Sequence, residues 1–177
     1  MKKQAEAHHP LVQLARAAIE HYVRDGRIIS PAEAPAAVEG EPAGVFVTLH
    51  KKSTGELRGC IGTIGPTQPT LAHEVIQNAI SSATRDWRFE PVGPDELDDL
   101  EYEVSVLYPP EPIASTDELD PRQYGVIVQR GGRRGLLLPD IEGVDDVATQ
   151  VRIARQKAGI GPQEPVKLYR FRVEKYQ

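Results

Sequence analysis

The stretch VFVTLHKKSTGELRGCI, residues 45–61, decides the fold class of this chain. Its first part, Val45 to Lys51, alternates apolar and polar side chains in the manner of a half-buried β-strand. The following Ser53-Thr54-Gly55-Glu56 is typical of a turn, and Leu57 to Ile61 has the composition of a second strand. We therefore predict a β-hairpin whose second strand carries Cys60.

Three helices are predicted on either side of this hairpin, because apolar residues recur there at helical spacing. The first spans Pro10 to Arg24, with a proline in its first turn and Gly26 after its end. The second spans about Thr70 to Arg85, and the third about Asp145 to Lys157.

Further strands are predicted at Glu101 to Tyr108 and at Val166 to Glu174. A second hairpin is predicted where Val126 to Gln129 and Arg133 to Leu138 flank Gly131-Gly132. Strands and helices do not alternate regularly, which favours an α+β fold with a mainly antiparallel mixed sheet and helices packed on it. The length of 177 residues predicts one domain, 1–177.

The single cysteine excludes several classes of protein. One thiol in 177 residues forms no disulfide, no Cys-x-x-Cys redox pair and no iron–sulfur cluster within a single chain. The longest apolar runs, such as residues 135–138, fall far short of the roughly 20 residues of a membrane helix. Met1 to Glu6 lack the apolar core of a signal peptide. We expect a cytoplasmic protein that does not contact the membrane.

The charge of the chain is unevenly distributed. The formal net charge is -5, and Phe89 to Pro121 holds eleven acids and no lysine or arginine. From Val147 to the end, seven bases face two acids, so the surface is predicted to be polarised. A net negative charge argues against non-specific DNA binding. Only a hairpin tip with Arg130, Arg133 and Arg134 favours a phosphate or another anionic partner, which makes nucleic-acid binding the least supported interpretation.

Three glycines surround the cysteine in Leu57-Arg58-Gly59-Cys60-Ile61-Gly62-Thr63-Ile64-Gly65. On a strand, Arg58 and Cys60 face the same side, and a guanidinium near a thiol favours the thiolate. Glycines let a ligand or another backbone approach closely. Two interpretations stay open, since a lone cysteine is either a nucleophile or a small buried hydrophobe.

Other candidate residues lie near this motif in the predicted fold. In Arg85-Asp86-Trp87-Arg88-Phe89-Glu90-Pro91, Asp86 is expected either to pair with Arg88 or Arg58 or to cap local backbone. His50 is a candidate partner of Cys60 across the hairpin.

Glu101 and Glu103 share one face of a predicted strand, where they are either an acid–base pair or solvent-facing charges. His73-Glu74 lacks a second ligand three or four residues further on, because Gln77 and Asn78 are poor metal ligands. No metal site and no cofactor are predicted.

Four segments in this order resemble a known family: Leu57 to Gly62, Arg85 to Pro91, Glu103 to Leu107, and Arg133 to Pro139. The chain is similar to the AMMECR domain family, known in prokaryotes as AmmeMemoRadiSam system protein A. The resemblance runs from the first helix to Lys157-Ala158-Gly159, and the Leu-Arg-Gly-Cys-Ile-Gly hexapeptide is its most specific part.

The resemblance implies an α+β fold with a larger and a smaller subdomain, the smaller one an insertion, and a cleft near the cysteine motif. It also implies association with a Memo-like protein and a radical-SAM protein, which would hold any cluster. From this resemblance we predict that Cys60 and Arg58 are catalytic residues. The predicted substrate-binding residues are Gly59, Gly62, Asp86, Arg88 and Glu103.

Two positions depart from the pattern of the family. Many members have His-Gly before the second hairpin, where this chain has Tyr124-Gly125. A glutamine commonly follows Leu-Leu-Pro, where this chain has Asp140. If the histidine or the glutamine of those members takes part in chemistry, this protein differs from them in substrate or lacks the activity.

Two functions follow from these residues. The first is an enzyme or enzyme subunit that uses Cys60 as a nucleophile or acyl carrier on a small anionic or acyl substrate. The second is a non-catalytic binding or adaptor module that grips a metabolite or a partner protein. The resemblance implies no particular reaction.

Overall fold

The computed structural model describes residues 8–177, and the six residues on which the signal-peptide argument rests lie outside that range. Three α-helices occur in the described part, and each lies within two residues of its predicted bounds. They are α1 (Pro10–Asp25), α2 (Leu71–Thr84) and α3 (Val147–Ala158). No helix among residues 8–177 combines the length and the apolar character that crossing a membrane requires.

Within residues 8–177, eight strands form two four-stranded sheets, and the predicted α+β fold with antiparallel pairing and packed helices is confirmed. The first sheet has the order β2-β1-β3-β8, and the second has the order β4-β7-β5-β6. The strands are β1 (Gly44–Lys51), β2 (Leu57–Gly62), β3 (Leu100–Leu107), β4 (Glu111–Ile113), β5 (Gly125–Arg130), β6 (Arg133–Leu137), β7 (Lys167–Phe171) and β8 (Val173–Tyr176).

The chain divides into two compact units, each with its own core. The first comprises the residues up to Val106 together with Glu174–Gln177, and the second comprises Leu107–Val173. In the first unit, apolar residues of α1 and α2 pack with the alternate residues of β1 and β3 that face them. In the second unit, α3 packs on β5 and β6. The single domain and the cleft stay predictions.

The predicted last strand, Val166 to Glu174, is wrong as one element. The structure has two strands here, which join different sheets on either side of Arg172. Phe171 belongs to the second unit, where its ring lies against the Cα of Gly125 on β5. Both halves have strand composition, so the sequence pattern does not reveal the change of sheet.

The cysteine hairpin forms as predicted, and its register places Cys60. Thr48 is the Cα partner of Cys60, and the register shifts between Leu49 and His50. Because Val47 and Leu49 are fully buried against the helices, Thr48 and Cys60 project from the opposite face of the sheet. Strand β2 has no neighbouring strand on its outer side, so one row of its backbone groups needs partners from elsewhere.

The connector after β2 is held by a buried carboxylate, Glu74 of α2. Its oxygens accept hydrogen bonds from the hydroxyls of Thr63 and Thr67 at 2.6 and 2.7 Å, and from the backbone N–H groups of Thr67 and Gln68 at 2.8 Å. Burial raises the pKa of Glu74. The four hydrogen bonds together lower it by more than burial raises it, so the pKa lies below its ordinary value. This helix residue therefore fixes the path of the chain between β2 and α2.

We predict that Glu74→Gln lowers the free energy of unfolding by about 2–4 kcal/mol at pH 7, because an amide cannot accept from all four donors. Chemical denaturation measures this. As a control, Gln77→Glu on the exposed side of the same helix should change stability by less than about 0.5 kcal/mol. Equal effects of the two substitutions would contradict the role of Glu74.

Candidate functional site

Cys60 lies half-buried on the edge strand of the first sheet. The hydroxyl oxygen of Thr48 lies 3.3 Å from its sulfur, within hydrogen-bond range of a thiol. The backbone N–H of Cys60 donates to Asp86 Oδ2 at 2.9 Å rather than to a neighbouring strand. Both the side chain and the backbone of Cys60 are therefore held in place.

Asp86 is the residue that joins the parts of this site. It is 4% exposed, and its two oxygens accept from Arg88 Nε at 3.0 Å, from Arg88 Nη2 at 2.8 Å and from the backbone N–H groups of Arg88 and Cys60. The side-chain hydrogen bonds from Arg88 are the main reason that the pKa of Asp86 lies well below its ordinary value. The two alternatives predicted for Asp86, an ion pair with Arg88 and a backbone cap, occur together.

Arg88 and the backbone of Cys60 bind the same carboxylate, that of Asp86. Hydrogen bonds to Asp86 are the main cause of the raised pKa of Arg88. Its Nε and Nη2 are taken by Asp86, whereas Nη1 has no hydrogen-bond partner among the residues that the structure describes. The guanidinium carbon lies 5.5 Å from the centroid of the Phe89 ring. Asp86 thus fixes the guanidinium along its Nε–Nη2 edge, and the Nη1 N–H groups stay available to an anion.

Arg58 has other partners than those predicted for it. Its side chain is buried and forms a bidentate ion pair with Glu96, at 2.9 and 3.0 Å. Its guanidinium carbon lies 5.8 Å from the centroid of the Phe89 ring. Each guanidinium is thus compensated by one carboxylate, but only the partner of Arg88, Asp86, also binds the backbone of Cys60. A catalytic role for Arg58 stays a prediction.

Two of the three glycines of the motif, Gly59 and Gly62, are closely covered by protein on their side-chain faces, whereas Gly65 has open space there. A Cβ added at Gly59 would lie 2.3 Å from the carbonyl oxygen of Ser82 on α2. At Gly62 it would lie 2.2 Å from the Phe46 ring. The room that we expected above these glycines for a ligand is therefore filled, and both residues permit close packing. Their part in substrate binding stays a prediction that is limited to backbone groups.

Trp87 is 90% exposed, although it lies between the two residues that position the site. Burying such a side chain fully would stabilise the protein by about 2–3 kcal/mol, and the fold does not use this free energy. An exposed tryptophan beside a fixed guanidinium has the composition of a recognition surface.

His50, Glu101 and Glu103 lie in a different place from the thiol. They line a cavity of about 590 Å³ in the first unit, and Cys60 is not one of its lining residues. Thr48, not His50, is opposite Cys60, and the Cα partner of His50 is Leu57. The structure thus brings Glu103 together with His50, but it does not join either of them to the cysteine.

In the second unit, Tyr124 and Asp140 occupy the two positions that depart from the family pattern. The Arg170 guanidinium lies 4.4 Å from the centroid of the Tyr124 ring, and Arg172 Nη2 lies 3.2 Å from the Tyr124 hydroxyl. Asp140 has a left-handed backbone with a φ of 57°, which aspartate tolerates better than most residues.

One carboxylate partly compensates the arginine tip of the second unit. Arg133 pairs with Glu164 at 2.6 Å and donates to the Gly159 carbonyl, and Arg130 lies 3.4 Å from the same Glu164. Arg134 is exposed and has no ion pair with any residue that the structure describes. Two of the three arginines are thus engaged locally, and phosphate binding at this tip stays a prediction.

Among residues 8–177, no three His, Cys, Asp or Glu side chains are grouped so as to hold a metal ion. Sequence reasoning does not point to Thr48 or Glu96. The register of the hairpin would have identified Thr48. The signal for Glu96 is weaker: it lies two residues after Pro94, which begins a short 3-10 helix (Pro94–Asp99).

The sequence profile of the AMMECR1 family matches residues 12–176. A protein of Thermotoga maritima is 57% identical over 96% of this chain and 98% of its own length. A Clostridium acetobutylicum protein is 45% identical over 95% of this chain, which spans only 36% of that relative. The crystal structure of the uncharacterized protein PH0010 from Pyrococcus horikoshii superposes with a TM-score of 0.81 and 39% identity, covering 93% of this chain and 88% of that one.

We predict that Asp86→Asn lowers the free energy of unfolding by about 2–3 kcal/mol at pH 7, because Arg88 and the Cys60 N–H lose a buried anionic partner. The folded-state pKa of Asp86 is depressed, so its stabilising contribution is present above pH ~4 and is lost as pH falls further. The unfolding free energy of the variant should therefore fall less than that of the wild type between pH ~5 and 2.

Denaturation across this pH range measures the difference, with the exposed Asp95→Asn as the control. Parallel curves for Asp86→Asn and the wild type would contradict the assignment.

Proposed function

This chain belongs to the AMMECR1 family, and on that premise we propose that it is an enzyme subunit whose Cys60 acts on or carries a small anionic or acyl substrate. One observation supports the proposal above the others. The buried Asp86 binds the backbone of Cys60 and also holds the guanidinium of Arg88. A thiol and a cation that share one rigid partner keep a constant separation, which is a requirement of a preorganised site.

The guanidinium of Arg88 serves the chemistry in two ways. Its positive charge favours the thiolate, which is the nucleophilic form of cysteine. Its Nη1 edge offers N–H donors to a carboxylate or phosphate, groups that arginine binds well. The Thr48 hydroxyl contributes a hydrogen bond to the sulfur.

In the acyl-carrier form of the proposal, the Cys60 thiol first loses its proton to solvent. The thiolate then attacks the carbonyl carbon of an activated acyl donor. A carbon–sulfur bond forms, the bond to the leaving group breaks, and the leaving group departs with its electron pair. The product is a thioester on Cys60. Among the residues that the structure describes, no histidine forms a hydrogen bond with Cys60, so this sequence of events begins from the thiolate.

The proposed setting is cytoplasmic, with a Memo-like protein and a radical-SAM protein as partners. The Clostridium acetobutylicum relative supports the involvement of further polypeptide, since the present chain corresponds to only 36% of its length. In that relative the domain is covalently joined to other sequence, as expected of a unit that works with others.

A second candidate function is a non-catalytic binding module. The 90% exposure of Trp87 favours it, because aromatic residues and arginine dominate the binding free energy of protein interfaces. In this alternative, Trp87 and Arg88 grip a partner, and Cys60 is a packing residue.

We predict that Arg88→Gln slows the alkylation of Cys60 by iodoacetate more than its alkylation by iodoacetamide. The anionic reagent uses both the thiolate and the neighbouring positive charge, whereas the neutral reagent uses the thiolate alone. The ratio of the two rate constants should fall about three- to ten-fold at low ionic strength. The measurement needs no background correction for other thiols, because Cys60 is the only cysteine of the chain.

The matched control is Arg85→Gln, which removes an exposed positive charge three residues away and should leave the ratio nearly unchanged. If the two substitutions lower the ratio equally, the effect is long-range charge and the proposed site fails. A Cys60 that reacts with both reagents no faster than a thiol in an unfolded peptide would also contradict the enzyme proposal.

We predict that variants of Cys60 and Trp87 distinguish the enzyme subunit from the binding module when turnover and capture by a purified Memo-like protein are both measured. For the enzyme subunit, Cys60→Ser abolishes turnover but leaves the protein folded, because the side chains have similar volumes. For the binding module, capture survives Cys60→Ser and is lost with Trp87→Ala, whose exposed side chain adds little to stability. Circular dichroism checks that each variant is folded.

A further inference from the structure

We propose that the second unit binds a phosphoryl group, as free phosphate or as a small phosphate ester, on the cluster of Tyr124, Arg170 and Arg172. The guanidinium carbon of Arg170 lies 4.4 Å from the centroid of the Tyr124 ring, and that of Arg172 lies 5.5 Å from the same centroid. One ring thus holds two positive charges. All three residues belong to the second unit, so the site does not depend on the Cys60 proposal, which concerns the first unit.

The cluster carries more positive charge than its ion pairs compensate. Arg170 Nε donates to Glu111 Oε1 at 2.6 Å, whereas Arg172 has no ion pair with any residue that the structure describes. The carboxylate of Glu118 accepts from two backbone N–H groups nearby. Two guanidinium groups beside one ring repel each other, and one carboxylate pairs with only one of them. A bound anion would remove this imbalance.

The hydrogen-bonding groups that the cluster leaves over are donors. Arg172 uses only Nη2, which donates to the Tyr124 hydroxyl at 3.2 Å, so its Nε and Nη1 have no partner among residues 8–177. Arg170 uses Nε and also Nη1, which donates to the Glu118 carbonyl at 2.8 Å, so its Nη2 is left over. The Tyr124 hydroxyl accepts from Arg172 and keeps its own proton to donate. Donors from three side chains favour a ligand that consists of acceptors.

The number of these donor side chains favours a phosphoryl group over a carboxylate. A carboxylate has two oxygens in one plane, which suit the edge of a single guanidinium. A phosphate monoester has three acceptor oxygens and carries a charge of about -1.5 to -2 at pH 7. Its three oxygens can therefore each meet a different side chain of the cluster.

The fold holds the cluster in place and also leaves it accessible. The backbone carbonyl of Tyr124 accepts from Nε2 of Gln150, a residue that is fully buried. Tyr124 is half-buried, Arg172 is exposed, and the side chain of Arg170 is 25% exposed. A solute can thus reach all three residues, and the contacts that fix them lower the entropic cost of binding.

An NMR titration of the full chain, labelled with ¹⁵N and held at constant ionic strength, tests the proposal. The probes are inorganic phosphate, methyl phosphate and acetate, and the Nε–H signals of Arg170 and Arg172 report where they bind. We predict that the phosphoryl probes shift both signals and bind about five-fold or more tightly than acetate. The tighter of the two phosphoryl probes identifies free phosphate or an ester as the source. Unchanged signals of both arginines, or acetate that binds equally well, would overturn the proposal.

Three substitutions distinguish this site from non-specific attraction. Arg172→Gln should weaken the phosphoryl probes about five-fold or more and leave the protein folded, because the side chain is exposed and its backbone carbonyl still accepts from the Tyr108 N–H. Tyr124→Phe keeps the ring and removes one donor, so it should weaken them about three-fold. Arg134→Gln removes an exposed charge at the arginine tip of the same unit and should leave the affinity at Arg170 and Arg172 unchanged. Equal weakening by Arg172→Gln and Arg134→Gln would show long-range attraction and overturn the site.

Discussion

The carboxylate of Asp86 is the interaction on which the architecture around the cysteine depends. Strand β2 lies at the edge of its sheet, where an unpaired N–H group needs a partner from outside the sheet. Asp86 supplies that partner for Cys60 just after α2 ends, so one side chain ties the helix terminus to the strand edge. The same carboxylate orients Arg88, which would otherwise be a long, mobile side chain on the surface.

A buried carboxylate is unfavourable unless it is fully paired, and this constraint explains the neighbourhood of the thiol. Arg88 has to stay near Asp86 because the carboxylate needs its charge, and it thereby stays near the sulfur. The Arg58–Glu96 pair follows the same logic with the signs reversed, since a buried guanidinium requires an anion. The fold therefore needs both ion pairs for its stability, and this requirement keeps the two guanidinium groups in place.

The parts of the fold that local pattern determines were predictable from the sequence. Helix α1 carries its apolar spacing, its first-turn proline and its terminal Gly26 within 17 residues, and the structure has these features. The Cys60 hairpin likewise depends on alternation and on one turn. Contacts between distant residues were not predictable in this way. Arg58 and Glu96 lie 38 residues apart, and nothing in their local sequence identifies the pair.

The glycines show why a motif can be recognised correctly while the reason for its residues stays open. Glycine permits close approach, but the sequence does not say what approaches. At Gly59 the neighbour is the backbone of α2, and at Gly62 it is the Phe46 ring. The identification of the family was confirmed, whereas the local physical reason for its glycines is packing.

The acid-only stretch from Phe89 to Pro121 has a different meaning in the structure than in the sequence. Several of its carboxylates are used locally: Glu96 binds Arg58, Asp99 binds Ser53, and Glu111 binds Arg170. Arginine compensates the charge of Glu96 and Glu111, whereas Asp99 keeps its charge beside the neutral Ser53.

What remains for recognition is the small number of polar groups that the fold does not satisfy. In the Cys60 site this is the Nη1 edge of Arg88, since its Nε and Nη2 are taken by Asp86. The net charge of -5 does not reveal this donor, because it depends on which local ion pairs the fold forms.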